Sequence, residues 1–184
     1  MQSLTESRMI DLWLLRKGFE PLRSDCRVSR SDAADLRSLA RDECRIWYSN
    51  LLRRADPELF RPVDISRDPD LSISADVPGG MRVKLPARVV RPVAVKLYSW
   101  YAPARIVAAG TAEARAQADA YTCGGIIQPV AVWSPTLRHL DLYSISYSQQ
   151  SSDELEYLLC AVQEYDDEEG DPIYTFAPEA LELL

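Results

Sequence analysis

The chain has 184 residues, 47% of them hydrophobic and 27% charged, with a net charge of −7 at neutral pH. These are ordinary globular proportions at a length for one domain, or a small domain carrying an insertion, and such a length buries a core without disulfide or metal staples. The acidity excludes a general nucleic-acid binder, and no run approaches the ~20 apolar residues of a membrane-spanning helix.

At the N-terminus, Arg8 and Asp11 break the first apolar run, so it does not read as a signal peptide and synthesis in the cytosol is expected. A first helix is predicted over 4–17, with Thr5 or Ser7 as cap. Met9, Ile10, Leu12, Trp13, Leu14 and Leu15 supply its apolar face, and Gly18 stops it, with Pro21 beyond. A second helix is predicted from Ser31 as cap, with Asp32 and Asp35 in a first turn whose dipole favours acids. Leu36, Leu39, Ala40, Trp47 and Leu51 make its apolar stripe, and Asp56-Pro57 ends it.

From Phe60 to about Ser148 the pattern changes to short β-branched and alternating runs. They are 71–74, 81–85, 89–90, 93–98, Ile126-Ile127, 130–133 and 139–146, with Pro78-Gly79-Gly80 as a hairpin turn. An alanine-rich helix near 111–122, capped by Thr111 and ended by Cys123-Gly124-Gly125, interrupts them. After Ser151, Leu155, Leu158, Leu159 and Val162 fall at helical spacing, Asp166 to Asp171 forms an acidic turn, and Pro178 starts a last helix. The predicted class is α+β: a helical bundle of two N-terminal and one or two C-terminal helices with an inserted β-rich domain. The divisions are 1–59, 60–150 and 151–184.

Catalytic chemistry is not legible. One histidine, His139, excludes a His-pair metal site and reads as a half-exposed strand residue. The cysteines Cys26, Cys44, Cys123 and Cys160 form no CxxC pair and read as free thiols of a reducing compartment. Cys123 before Gly124-Gly125 reads either as a nucleophile served by His139 or as a structural thiol. The acidic run 166–171 lacks the alternating ligand spacing of a calcium loop and reads as a solvated turn. No phosphate-binding glycine loop occurs. No catalytic residue, cofactor or metal is expected, and the chain reads as a non-enzyme.

Two features point to contact. Residues 61–110 hold eight Lys/Arg against four Asp/Glu, whereas 111–184 hold two against fourteen. Such a split favours head-to-tail contact between copies, or else marks a solvated acidic end. In the basic stretch, Arg82, Arg88, Arg91 and Arg105 lie among Tyr98, Trp100 and Tyr101. That composition suits a protein interface, a single-stranded nucleic-acid platform, or plain sheet surface.

The order Val83-Lys84-Leu85-Pro86, Arg88 to Leu97 with Tyr98-Ser99-Trp100, Gln117 to Gly124, Gln128-Pro129-Val130-Ala131-Val132 and Leu140-Asp141-Leu142-Tyr143-Ser144 resembles the neck or ring (head–tail connector) proteins of tailed bacteriophages, especially crAss-like and related phages of Bacteroidales. The stretch covers about a third of the chain. The resemblance implies a helical adaptor with a β-domain between its helices. It also implies a structural virion protein made in the host bacterial cytoplasm. Its partners would be other copies in a dodecameric ring, the portal, and tail or other ring proteins, with DNA passing through the channel without sequence-specific binding and no membrane involved. The alternative from the residues is a cytosolic binding or regulatory module that uses the Arg/aromatic sheet face for protein or single-stranded nucleic acid.

Overall fold

The computed structural model describes residues 1–19, 30–77, 79–119, 121–145, 154–166 and 170–183. In chain order the elements are β1 (Gln2–Leu4), α1 (Glu6–Arg16), α2 (Arg30–Arg54), a 3-10 turn (Pro57–Leu59), β2 (Val63–Asp64), β3 (Ser72–Ser74), β4 (Met81–Lys84), β5 (Val89–Leu97), β6 (Arg105–Ala108), α3 (Ala112–Ala116), β7 (Val130–Ser134), β8 (His139–Leu142), β9 (Leu155–Val162), β10 (Glu164–Tyr165), β11 (Pro172–Phe176) and a closing 3-10 helix (Pro178–Leu183). They form two compact units: a terminal unit of Met1–Arg61 with Gln163–Leu184, and a central unit of Pro62–Val162.

In the terminal unit, β1 and the short β10 flank β11, both antiparallel to it. Helix α1 starts after Thr5, whose side chain makes no capping bond. It ends where Gly18 takes a left-handed backbone (φ 79°), Gly18 N–H donates to Leu15 O, and Phe19 N–H donates to Leu14 O. Those two bonds are the Schellman pattern that a glycine permits. Helix α2 already includes Arg30, so Ser31 lies inside it, and Pro21 falls outside the described residues. The buried stripe of α2 is Ala40, Cys44, Trp47, Tyr48, Leu51 and Leu52, while Leu39, expected in it, faces solvent.

Aromatic rings join α2 to β11. Trp47 meets Phe176 edge-on at 5.1 Å between centroids, and Tyr48 lies 5.0 Å from Tyr174. The Tyr48 hydroxyl donates to Thr175 O (3.3 Å) and accepts from Thr175 N (3.0 Å). β10 pairs only with Pro172 and Ile173, so this hydroxyl satisfies backbone groups that the short strand leaves unpaired. Glu6 opens α1 and is 2% exposed. It receives Arg41 at 3.0 Å and Arg45 at 2.7 Å, one turn apart on α2, and the Tyr174 hydroxyl at 3.4 Å.

The central unit holds two sheets, β2–β9–β5 and β3–β4–β8–β7–β6. One core fills it, built from Val83, Val95, Leu97, Trp100, Ala131, Leu140, Leu142, Leu158 and Cys160 with their neighbours. Pro92 lies inside β5, next to one of three register shifts between β5 and β9. A strand tolerates a missing N–H at such an irregularity. β6 and β7 run parallel, joined by a crossover that contains α3. Thr111 caps α3 by accepting from Ala114 N at 3.1 Å.

The predicted helical bundle with an inserted β-rich domain is therefore incorrect. Eleven strands in three sheets dominate the described residues, and no C-terminal α-helix forms among them. The run 155–162 is strand β9, held between β2 and β5. The run is apolar at every position but Glu156, and periodicity alone cannot tell such a short apolar run from a buried helix. The predicted final helix is a 3-10 helix; β1 and β11 went unread because they pair across the length of the chain, and the two-residue β10 because it is too short to show a period.

Replacing Glu6 with Ala strands two guanidinium groups and the Tyr174 hydroxyl. Both arginines are half exposed, so the expected loss of stability is about 2 kcal/mol, below that for a fully buried pair. Urea unfolding measures it as a lower midpoint with an unchanged slope.

Candidate interaction surface

The seven residues expected to form an interface do not share one role. Arg82 on β4 lies opposite Asp141 on β8 and grips it with two hydrogen bonds, Nε to Oδ1 at 2.7 Å and Nη2 to Oδ2 at 3.0 Å. This bidentate pair, the carboxylate hydrogen bond first, raises the guanidinium pKa above its ordinary value. Arg88 pairs with Asp68, Arg105 with Glu113, and nearby Lys96 with Glu156. Arg91 is half-buried on β5 opposite Ala161. Trp100 is 2% exposed and belongs to the core. Tyr98 and Tyr101 stand largely in solvent, Tyr101 at 78%, as does the Arg105 side chain despite its pairing.

A second loop joins these two tyrosines. Trp100 ends a turn in which its N–H donates to Leu97 O, and its indole Nε1 donates to Ser144 O at 3.1 Å. The Ser144 hydroxyl in turn donates to Gly124 O. Gly124 N–H donates to the buried Gln117 side chain at 2.8 Å. A Cβ on Gly124 would stand 2.7 Å from Gln128 O, so the loop closes only with glycine there. Tyr101 N–H then donates to Ile126 O at 3.0 Å, and Arg105 N–H to Pro129 O at 2.9 Å.

The loops 97–105 and 121–129 are thus fastened side by side over Trp100 and Ser144. They carry Tyr98, Tyr101, Ile126 and Ile127, with Tyr121 on the second loop. Tyr121 is 98% exposed and Ile127 70%. Several large apolar side chains on two adjoining loops, held from beneath by a buried tryptophan, form an exposed apolar tip of the kind that marks a contact surface.

The sequence reading missed Tyr121 and misread Ile126-Ile127 as strand. A signal was present: Gly124-Gly125 before the dipeptide and Gln128-Pro129 after it leave room for a turn only, and Gln128 N–H closes that turn on Gly125 O at 3.1 Å.

The two residues weighed for nucleophilic chemistry lie in unlike settings. His139 is buried, against the half-exposed expectation, because its strand β8 is central and flanked by β4 and β7. The charged partner of its imidazole is Asp141 at 3.4 Å, a carboxylate already held by Arg82. Cys123 sits in the turn after α3, where its N–H donates to Asp119 O at 2.9 Å. No cluster of three or more His, Cys, Asp or Glu able to hold a metal occurs among the described residues. No helix among them is long and apolar enough to cross a membrane. Residues 167–169 of the acidic turn lie outside the described residues; Asp166 N–H donates to Asp171 O across its base at 2.7 Å.

No protein-family profile, curated protein or solved structure matches this chain.

The thiols make a direct check on the packing. Burial, with Glu6 and Glu43 adding repulsion, pushes Cys44 up to about 12. Burial, with Asp64 adding repulsion, does the same to Cys160. At pH 8 the reactive thiolate is then a very small fraction at both. A disulfide reagent applied to a Cys26→Ser, Cys123→Ser variant is expected to label neither thiol in the native protein and both in denaturant. Rapid native labelling of either contradicts this packing.

Proposed function

We propose that this chain is a structural component that works by self-association: a head–tail connector of a tailed phage, made in the host bacterial cytoplasm and built into the virion. In this reading copies form a ring that joins portal to tail and leaves a channel through which DNA passes without sequence-specific contact. The observation that carries the reading is the exposed apolar tip of loops 97–105 and 121–129, since such a surface is costly in water unless a protein covers it. The resemblance adds support, because Val83 to Tyr143 spans most of β4 through β8 and both tip loops. The helical bundle it implies does not form among the described residues and lends none. The acid-rich residues 111–184 suit a channel wall that repels phosphate and lets DNA slide.

The alternative, an Arg/aromatic face for single-stranded nucleic acid, has less behind it. Phosphate binding needs uncommitted cations beside stacking rings. Arg82, Arg88, Arg105 and Lys96 each face a carboxylate instead, and Trp100 is buried away from any base.

Mass photometry and negative-stain imaging of the purified chain over a range of concentrations test the reading. Concentration-dependent oligomers that close into rings are expected. A chain that stays monomeric and shifts single-stranded oligonucleotides with a steep loss of affinity in salt overturns it and favours the alternative.

A further inference from the structure

The terminal unit carries a feature that its fold does not use. The end of α1, the second half of α2 and the closing 3-10 helix border an open groove of about 460 Å³. Trp13, Ile46, Trp47 and Leu183 give it an apolar wall, and Lys17 and Arg54 stand along it. Against these two cations its lining holds a single acid, Glu43. Ile46 and Leu183 are exposed. The Trp47 ring, otherwise packed on Phe176, carries a buried indole N–H for which the described residues supply no acceptor. An unmet buried donor is costly, and an occupant of the groove that brings an acceptor within its reach relieves it.

The tip of the central unit has the opposite character. It carries Tyr98, Tyr101 and Ile127. Exposed Asp119 accepts from Tyr121 N–H through Oδ1 at 2.8 Å, Tyr98 N–H donates to the carbonyl of exposed Glu154, and exposed Arg105, which closes the first loop, is paired with Glu113. Apolar loops with a mostly acidic border meet an apolar groove with a mostly basic rim, which is the anatomy of a specific protein interface. Tyrosine also brings a hydroxyl to the polar edge of the groove and a ring face to Arg54, Lys17 already lying over the Trp13 ring.

We propose that the groove of one copy seats the tip of a second copy. The inference rests on the self-association reading above and names the contact behind it. Tip and groove are different surfaces, so single contacts repeated from copy to copy build a closed ring or an open filament, and two contacts exchanged within a pair of copies close a two-fold dimer.

Two variants and their mixture test this. Tyr101→Ser with Ile127→Ser removes the tip, and Ile46→Arg blocks the groove; all three positions are exposed, so both variants are expected to keep the thermal midpoint of the wild type. Each variant alone is expected to associate at least about tenfold more weakly than the wild type, the effect typical of losing an interface anchor. Mixed in equal amounts they are expected to form one-to-one dimers and nothing larger, since each mixed pair retains one intact tip and one intact groove. A groove variant that associates as well as the wild type overturns the inference and leaves self-association standing, with tip against tip as the contact. A mixture that stays monomeric overturns it as well. A wild type that never associates overturns both this inference and the proposed function.

Discussion

The pairing of Gln2–Leu4 with Tyr174–Phe176 is the constraint on which the terminal unit depends. It joins the two ends of the chain across more than 160 residues, and closing so long a loop costs entropy that local contacts cannot return. The return comes from what the pairing assembles. Once β11 is fixed, Tyr174 reaches Glu6, Thr175 meets the Tyr48 hydroxyl, and Phe176 meets Trp47. Three consecutive residues of one strand thereby tie β1, the start of α1 and the second half of α2 into a single core.

The same economy governs charge. Glu6 is buried but answered by two arginines, and Asp141 is answered by Arg82 with His139 alongside. Of the eight lysines and arginines that make residues 61–110 basic, Arg82, Arg88, Lys96 and Arg105 face carboxylates within their own unit. Half of what looks like a phosphate-binding surface in one dimension is, in three, paired charge. Open apolar surface remains at the tip of the central unit and the groove of the terminal unit. Contact rather than electrostatic capture is the work such surfaces are suited to.

Legibility differed by element for physical reasons. Helices α1 and α2 were readable because their apolar spacing and their terminators, Gly18 and Asp56-Pro57, are local. Thr111 was readable as a cap for the same reason, although α3 runs only from Ala112 to Ala116. Strands β4, β5, β7 and β8 were readable from β-branched alternation. Of the interface residues, Tyr98 and Tyr101 are exposed and Trp100 is not, and nothing in the run Tyr98-Ser99-Trp100-Tyr101 distinguishes them. The Trp100 indole turned inward because Ser144, far along the chain, offers it a carbonyl.

By itself the sequence determined the helices near the N-terminus and the β-rich character of the middle, since both follow from local spacing. Tertiary structure decided that 155–162 is a strand, that β1, β10 and β11 form a sheet, and that Ile126 and Ile127 lie on an exposed turn. The first of those outcomes and the pairing of β1 with β11 turn on partners distant in sequence, whereas β10 and the Ile126-Ile127 turn are local and too short to show a period. A run such as Leu158 to Val162 satisfies helix and strand alike until β2 and β5 close on both its sides.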